Sequence, residues 1–210
     1  THHKTLATEL KGVQQERTIS DVFEQQASGQ TLIDMLRLDL IVGSGGILSH
    51  APRRVQSMMM MVDAYEPLGF TRLSVDSIFM MPHLGVLSTI NEKAATDVFV
   101  RDCMIYLGTC VAPVGQGQDG DRCADYEISL PDGRVEKGTL GFGQLTLLPL
   151  ASDQRAKMTL HPDKHVNVGM GAGNPITKDV LGGVVGLLLD GRGRPLQLPS
   201  EQAARANALM

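Results

Sequence analysis

The sequence has no excess of positive charge: 19 lysines and arginines stand against 23 aspartates and glutamates, a formal net charge of −4 over 210 residues. A protein that holds nucleic acid by its phosphates needs a basic surface, so the charge balance argues against a nucleic-acid partner. The sequence also lacks an apolar run of membrane-spanning length, and residues 1–4 begin no secretory signal. We therefore expect a small-molecule or protein partner and no membrane attachment.

Cysteine is scarce as well. The three cysteines, Cys103, Cys110 and Cys123, are odd in number and show no CxxC spacing. This pattern argues against a disulfide framework and fits a reduced, cytoplasmic setting. Because no histidine lies near them in the sequence, Cys103 and Cys110 are predicted to be small buried hydrophobic residues.

The length allows one or two domains with a sizeable core. Up to residue 101 the pattern favours helices around two strands, whereas later residues form short apolar runs separated by glycine and proline, as in antiparallel β structure. We predict three parts: an α/β part over residues 1–101, a β-rich domain over residues 102–198 and a helical tail over residues 199–210.

Helices in the first part are predicted from apolar residues at helical spacing. The four consecutive methionines, residues 58–61, are interpreted as core packing of a helix that begins near Pro52 rather than as a copper site. Pro82 interrupts an apolar run, so no regular helix is expected there, and the next helix is predicted at residues 92–101 with Asn91 or Thr89 as its cap. The remaining predicted helices cover residues 20–26 and 31–37.

Strands are predicted where short apolar runs lie between turn residues. Residues 131–134, Pro-Asp-Gly-Arg, form the clearest hairpin turn. The predicted strands are residues 38–42, 71–75, 104–114, 125–130, 135–148, 158–160 and 184–189.

The first predicted strand runs directly into Gly43-Ser44-Gly45-Gly46, ahead of a helical pattern. Glycine permits positive φ and lets a ligand approach the backbone closely. A strand, a glycine turn and a helix in this order are typical of nucleotide sites, although the same pattern also serves as an ordinary change of direction. On spacing alone, both interpretations stay open.

Three polar residues follow predicted strands or turns: His50, Asp76 and His83. Gathered into a pocket, two imidazoles and a carboxylate would bind a metal ion or perform acid–base chemistry. Nothing in their spacing requires them to converge, and the favoured interpretation is that they are hydrogen-bonded turn residues that fix the shape of the loops. No metal ligand is assigned from the sequence.

Other motifs carry less information. The pattern GxGxG at residues 169–173 is followed by Asn-Pro instead of a helix, so it is interpreted as a loop rather than a dinucleotide site. Asp119, Asp121 and Asp125 lack EF-hand spacing and are expected in a solvated acidic loop. A P-loop is absent, so any nucleotide site here must be of another kind.

Three strings together resemble the glutamate mutase accessory protein family called MutL or GlmL, which is unrelated to the mismatch-repair protein of the same name. The resemblance runs from the N-terminal helix to about residue 199. The strings are LIVGSGGILSHAP at residues 40–52, VDSIFMMPHLGVL at residues 75–87 and GGVVGLLLDGRGRPL at residues 182–196.

The resemblance implies a member of the actin, Hsp70 and sugar-kinase ATPase superfamily. Its members are implied to be ATP-dependent chaperones or reactivases of adenosylcobalamin-dependent mutases, with ATP or ADP and Mg²⁺ bound between two lobes. Gly43, Ser44, Gly45 and Gly46 match the adenosine motif of that superfamily. The phosphate-gripping hairpin and the catalytic carboxylates of the other lobe have no counterpart here.

The expected fold is therefore α/β: part of an actin-like ATPase lobe followed by a β-rich domain. The resemblance implies the C-terminal part of a longer protein, with little or no ATPase activity of its own and no cofactor that it requires alone. Two alternatives stay open. One is a hydantoinase- or oxoprolinase-like metal-assisted amidohydrolase subunit with His50, Asp76 and His83 as ligands, and the other is a non-catalytic interaction domain.

Overall fold

The computed structural model describes residues 34–196. The helix predicted at residues 20–26 and the tail predicted at residues 199–210 lie outside this range. Of the helix predicted at residues 31–37, the described part contains a short 3₁₀ turn, Met35–Arg37. Residues 36–196 belong to one compact unit.

The described elements alternate helix and strand at first and are then almost entirely strands. The helices are α1 Gly46–Ser49, α2 Arg54–Tyr65 and α3 Met81–Val98, and a π-helical turn, Phe99–Cys103, continues α3. The strands are β1 Leu40–Gly43, β2 Gly69–Asp76, β3 Met104–Ala112, β4 Arg122–Ser129, β5 Val135–Gly141, β6 Leu145–Leu148, β7 Arg155–Pro162, β8 Ile176–Leu181 and β9 Gly186–Asp190.

These strands form two sheets. The first has the order β1-β2-β3-β9-β6, in which β1 and β2 are parallel, β2 and β3 antiparallel, β3 and β9 parallel, and β9 and β6 antiparallel. The second has the order β5-β4-β7-β8 and is antiparallel throughout. This architecture confirms the predicted α/β class.

The main core lies between the two sheets. Buried apolar side chains of the first sheet meet those of the second, including Phe70, Val111, Leu187 and Leu189 from the first and Ile128, Leu140, Met158 and Leu160 from the second. Strands from both sides of the predicted boundary after residue 101 share the first sheet, since β2 pairs with β3. The three-part division itself stays a prediction.

The methionine-rich helix packs as predicted. In α2, Met58, Met61 and Val62 are fully or almost fully buried, which places them in the core. The helix ends where Glu66 adopts a left-handed conformation with φ 47°. Val55, in the first turn of α2, is 37% exposed.

The helix predicted at residues 92–101 begins earlier than expected, but Asn91 acts as a cap as predicted. Helix α3 begins at Met81 and includes Pro82, which fits the first turn because its missing N–H is not needed there. Asn91 has non-helical angles of φ −147° and ψ 89°, and its Oδ1 accepts a hydrogen bond of 3.0 Å from the backbone N–H of Ala94. Asn91 thus kinks the helix and caps its second half.

In the β-rich part, the predicted hairpin is confirmed: β4 and β5 pair across it, and Gly133 takes φ 84°. The strand predicted at residues 135–148 is two strands. The chain leaves the second sheet after Gly141 and enters the first at Leu145, through a turn in which Gly143 has φ 79°. Strand β8 was not predicted.

Candidate functional site

The glycine turn lies at the carboxyl end of β1, beside the carboxyl end of β2. The parallel register pairs Gly43 with Val75, which brings Ser44 next to Asp76. Gly45 has φ 122° and ψ 152°, a combination that essentially only glycine adopts. A Cβ built on Gly45 or on Gly46 would find no atom within 4 Å, so the backbone of both residues faces open space.

Gly43 is glycine for a different reason. A Cβ on Gly43 would lie 2.7 Å from Leu48 Cδ1 and 2.9 Å from Met61 Sδ. These separations are shorter than carbon and sulfur tolerate, because the side chains of α1 and α2 pack directly on the end of β1. Gly43 therefore allows close packing, whereas Gly45 and Gly46 leave the turn accessible.

The helix after the turn is shorter than the sequence suggests. Helix α1 has four residues, and the carbonyl of Gly45 accepts hydrogen bonds from the N–H groups of Leu48 and Ser49 at 3.1 and 2.9 Å. The longer helix, α2, begins only at Arg54. One turn sums few peptide dipoles, so binding at this turn would depend on its backbone and its open space rather than on a helix dipole.

Asp76 is fully buried at the end of β2 and joins three parts of the site. Its Oδ1 accepts a hydrogen bond from Met80 N–H at 3.0 Å, and its Oδ2 accepts from Met81 N–H at 2.7 Å and from Ser44 Oγ at 3.1 Å. Its backbone carbonyl accepts from Ser49 Oγ at 2.5 Å. Burial alone would raise the pKa of Asp76, but the hydrogen bonds from Met81, Met80 and Ser44 outweigh it and lower the pKa.

The structure does not gather His50, Asp76 and His83 into a pocket. His50 is exposed, with Nδ1 lying 3.1 Å from the carbonyl oxygen of Gly46, and His83 is exposed in the first turn of α3. Among residues 34–196, no three histidine, cysteine, aspartate or glutamate side chains are placed to hold one metal ion. His50 instead lies within hydrogen-bonding distance of the turn that precedes it, and Asp76 bonds to Ser44 and to the N–H groups of Met80 and Met81.

Comparison with known protein families gives a match for about the first half of the chain. Residues 2–103 match the family model described as MutL protein. Over this stretch the chain belongs to the MutL family. The match contains the glycine turn, Asp76 and α3. The third resembling string, at residues 182–196, lies outside it. No curated protein and no solved structure matches the chain.

The third string forms a buried ion cluster that the sequence did not reveal. Asp190, at the end of β9, is fully buried, and its carboxylate accepts hydrogen bonds from Arg192 Nε at 3.0 Å and from an Arg194 terminal nitrogen at 2.6 Å. Arg192 also donates to Asp63 Oδ1 of α2 at 2.8 Å. The cluster therefore connects the end of β9 to α2.

Electrostatics within this cluster favour the charged forms. Burial alone would raise the pKa of Asp190, but hydrogen bonds and charge from Arg192 and Arg194 lower it. The pKa of Arg192 is raised: burial opposes the rise, and the carboxylates of Asp190 and Asp63 outweigh that burial. The sequence signal was the alternation of charge and glycine in DGRGR directly after an apolar strand.

The remaining motifs have structural roles. Gly169, Gly171 and Gly173 all have positive φ in a loop between β7 and β8, and Asn167 Oδ1 accepts from the N–H groups of Gly169 and Gly171 at 2.8 and 3.0 Å. This confirms the loop interpretation. Cys103 and Cys110 are buried as predicted, and Cys123 is buried as well. Burial raises the pKa of Cys110 and of Cys123 to about 12.

A shallow cavity of about 330 Å³ lies on the outer face of the second sheet. Its polar side chains satisfy one another: Asp125 accepts from Thr139 Oγ1 at 2.6 Å, and Lys137 pairs with Glu127 at 2.7 Å. These contacts are cross-strand pairs that stabilise the sheet, so we interpret the cavity as a solvated face of the sheet. No helix within residues 34–196 has the length and apolar character needed to cross a membrane.

Proposed function

We propose that this chain supplies the adenosine-binding part of an ATP-dependent accessory protein that reactivates an adenosylcobalamin-dependent mutase of the glutamate mutase type. The match to the MutL family supports the proposal. The observation that carries it is the turn at residues 44–46, where glycine backbone faces open space at the carboxyl edge of two parallel strands. Ligands of α/β sheets bind at such an edge.

The turn fits the adenosine end of a nucleotide better than it fits Mg²⁺. Without side chains on Gly45 and Gly46, a flat base or a sugar can lie directly against the backbone. The carboxylate beside the turn, Asp76, already accepts three hydrogen bonds, and residues 34–196 offer no cluster of three metal-binding side chains. Magnesium coordination is therefore not assigned to these residues.

In this proposal the described residues bind and orient the nucleotide, and hydrolysis needs groups that they do not provide. ATP would lie between this part and a second lobe of the complete protein. Hydrolysis would then drive a closure that pulls on the mutase and frees damaged cobalamin. We accordingly expect the 210-residue chain to bind ADP or ATP without measurable turnover.

Nucleotide binding can be tested by thermal unfolding with ADP. At 100 times the Kd, ligand adds about 2.7 kcal/mol to the free energy of unfolding, which should raise Tm by about 5–10 °C. Gly45→Ala should reduce the affinity at least about ten-fold, because alanine does not tolerate φ 122°. Gly133→Ala is the matched control, since Gly133 also has positive φ and open space but lies in the β4–β5 hairpin. Equal losses in both variants, or no shift in the wild type, would contradict the site.

The proposed partner calls for a separate experiment. The complete protein and ATP should restore activity to a glutamate mutase that carries inactive cobalamin, with release of the damaged cofactor followed by its absorbance. Gly45→Ala in the complete protein should slow the release, and Gly133→Ala should not. If nucleotide binds but no cobalamin is released, the client has been assigned wrongly. If nucleotide does not bind at all, an interaction domain explains this chain better.

The amidohydrolase alternative has no comparable support. It requires His50, Asp76 and His83 to share one metal ion, and in the described part of the chain they form no such group.

A further inference from the structure

We propose that Asp76 is a positioning residue that couples occupancy of the glycine turn to the shape of residues 77–81. The inference rests on the proposed nucleotide site and adds a route by which binding there alters another surface. Its basis is the placement of one buried carboxylate between Ser44 and the first N–H groups of α3.

On one side, Asp76 contacts the turn through a single side chain. Ser44 Oγ donates to Asp76 Oδ2, the same oxygen that accepts the 2.7 Å hydrogen bond from Met81 N–H. A change in the position of Ser44 therefore alters the hydrogen bonding of the same Asp76 oxygen that accepts from the first turn of α3. Because hydrogen bonds to a carboxylate are stronger than neutral ones, this link is well suited to transmit a change.

On the other side, residues 77–81 are held at both ends and strained in the middle. Ser77 donates from both N–H and Oγ to the carbonyl of Cys103, at 2.8 and 2.7 Å. Met80 and Met81 are held by Asp76. Between these anchors Phe79 has φ 56°, a conformation that bulky residues rarely adopt. The segment keeps this shape only while its anchors hold.

The strained segment faces solvent with apolar side chains. Ile78 is 57% exposed and Phe79 is 44% exposed. A change in the anchoring of Met80 and Met81 would therefore change how these two side chains are presented. Coupling of this kind needs no large movement, because a ligand that restricts the turn also restricts whatever is bonded to it.

The direction of the coupling follows from the accessibility of the turn. Gly45 and Gly46 have no side chains and open space beside them, so no neighbouring side chain restricts this part of the turn. A nucleotide that fills this space holds Ser44 against Asp76. The Asp76 carboxylate is then fixed more firmly against the N–H groups of Met80 and Met81, which should exchange more slowly with solvent.

Amide hydrogen exchange measured by NMR on the 210-residue chain tests this. With saturating ADP, exchange at Met80 and Met81 should slow about ten-fold in the wild type, the effect of strengthening one hydrogen bond to a charged group. In Ser44→Ala, at an ADP concentration that saturates the variant by its own Tm shift, exchange at both amides should change less than about two-fold. Ser88→Ala is the matched control, because this half-buried serine bonds within α3 to the carbonyl of Gly85. It should respond like the wild type.

The outcomes separate this inference from the function on which it rests. If ADP produces no Tm shift in the wild type, the nucleotide site is wrong and the coupling falls with it. If ADP binds but exchange at Met80 and Met81 does not change, only the coupling is overturned. A full response in Ser44→Ala would also overturn it, since the route through the serine would then be unnecessary.

Discussion

Replacing Asp190 with asparagine tests the buried ion cluster that ties β9 to α2. The carboxylate is fully buried and accepts hydrogen bonds from both Arg192 and Arg194. The Arg194 side chain is only 1% exposed, so the variant would leave a buried guanidinium opposite a neutral amide. An asparagine also presents an N–H₂ group where the wild type presents a second acceptor.

The loss in free energy of unfolding can be estimated from buried ion pairs in other proteins. Removing one partner of a buried ion pair destabilises a protein by about 3–5 kcal/mol, because the remaining charge stays desolvated. For a chain of this size, a loss of that magnitude lowers Tm by about 6–20 °C. Asp63 pairs with Arg192 but not with Arg194, so it compensates only part of the loss.

Urea unfolding followed by circular dichroism measures this free energy directly. Asp132→Asn is the matched control: Asp132 pairs with Arg134 at 2.6 Å in the exposed hairpin, where both side chains are at least half exposed. Water replaces that pair readily, so the control should unfold almost as the wild type does. Equal losses in the two variants would refute the reasoning that burial gives the cluster its weight.

Two further predictions use the same measurement. The pKa of Asp190 is lowered in the folded state, so its carboxylate contributes fully to the free energy of unfolding above the unfolded pKa of about 3.9. This contribution is lost as pH falls through the folded pKa. The difference in free energy of unfolding between wild type and Asp190→Asn should therefore shrink only below about pH 4. A difference that is already shrinking between pH 7 and 5 would contradict this. Gly43→Ala should cost about 1–3 kcal/mol because its Cβ would press on Leu48 and Met61, whereas Gly46→Ala, with open space around it, should cost much less. Similar costs at both glycines would show that the packing argument is wrong.

The glycine turn was predictable from sequence because its signal is local. An apolar strand followed by glycine specifies a turn whatever the rest of the chain does. The role of Asp76 was not predictable in the same way. Its partner Ser44 is 32 residues away and reaches it through the parallel pairing of β1 with β2, a register that a single sequence does not reveal.

The errors in the element boundaries have a similar origin. From sequence alone, Pro82 indicates a break in a helix. In the structure the helix begins at Met81, and proline is tolerated in the first turn of a helix. Residues 135–148 were predicted as one strand because no proline interrupts them, but the chain changes sheets between β5 and β6. Strand β8 was missed because its solvent-facing Lys178 and Asp179 hide the apolar pattern.

The residues after the family match complete the structure around the candidate site. The match ends at residue 103, yet β3 supplies the antiparallel neighbour of β2, the strand that carries Asp76. The ion cluster at Asp190 holds Asp63 of α2, and the N–H of Leu196 donates to Glu66 Oε2 at the end of that helix. Since α2 follows the glycine turn and packs on Gly43, the position of the turn depends on residues far along the chain. The β-rich part therefore supports the proposed adenosine site directly, in addition to any contact that it makes with a partner.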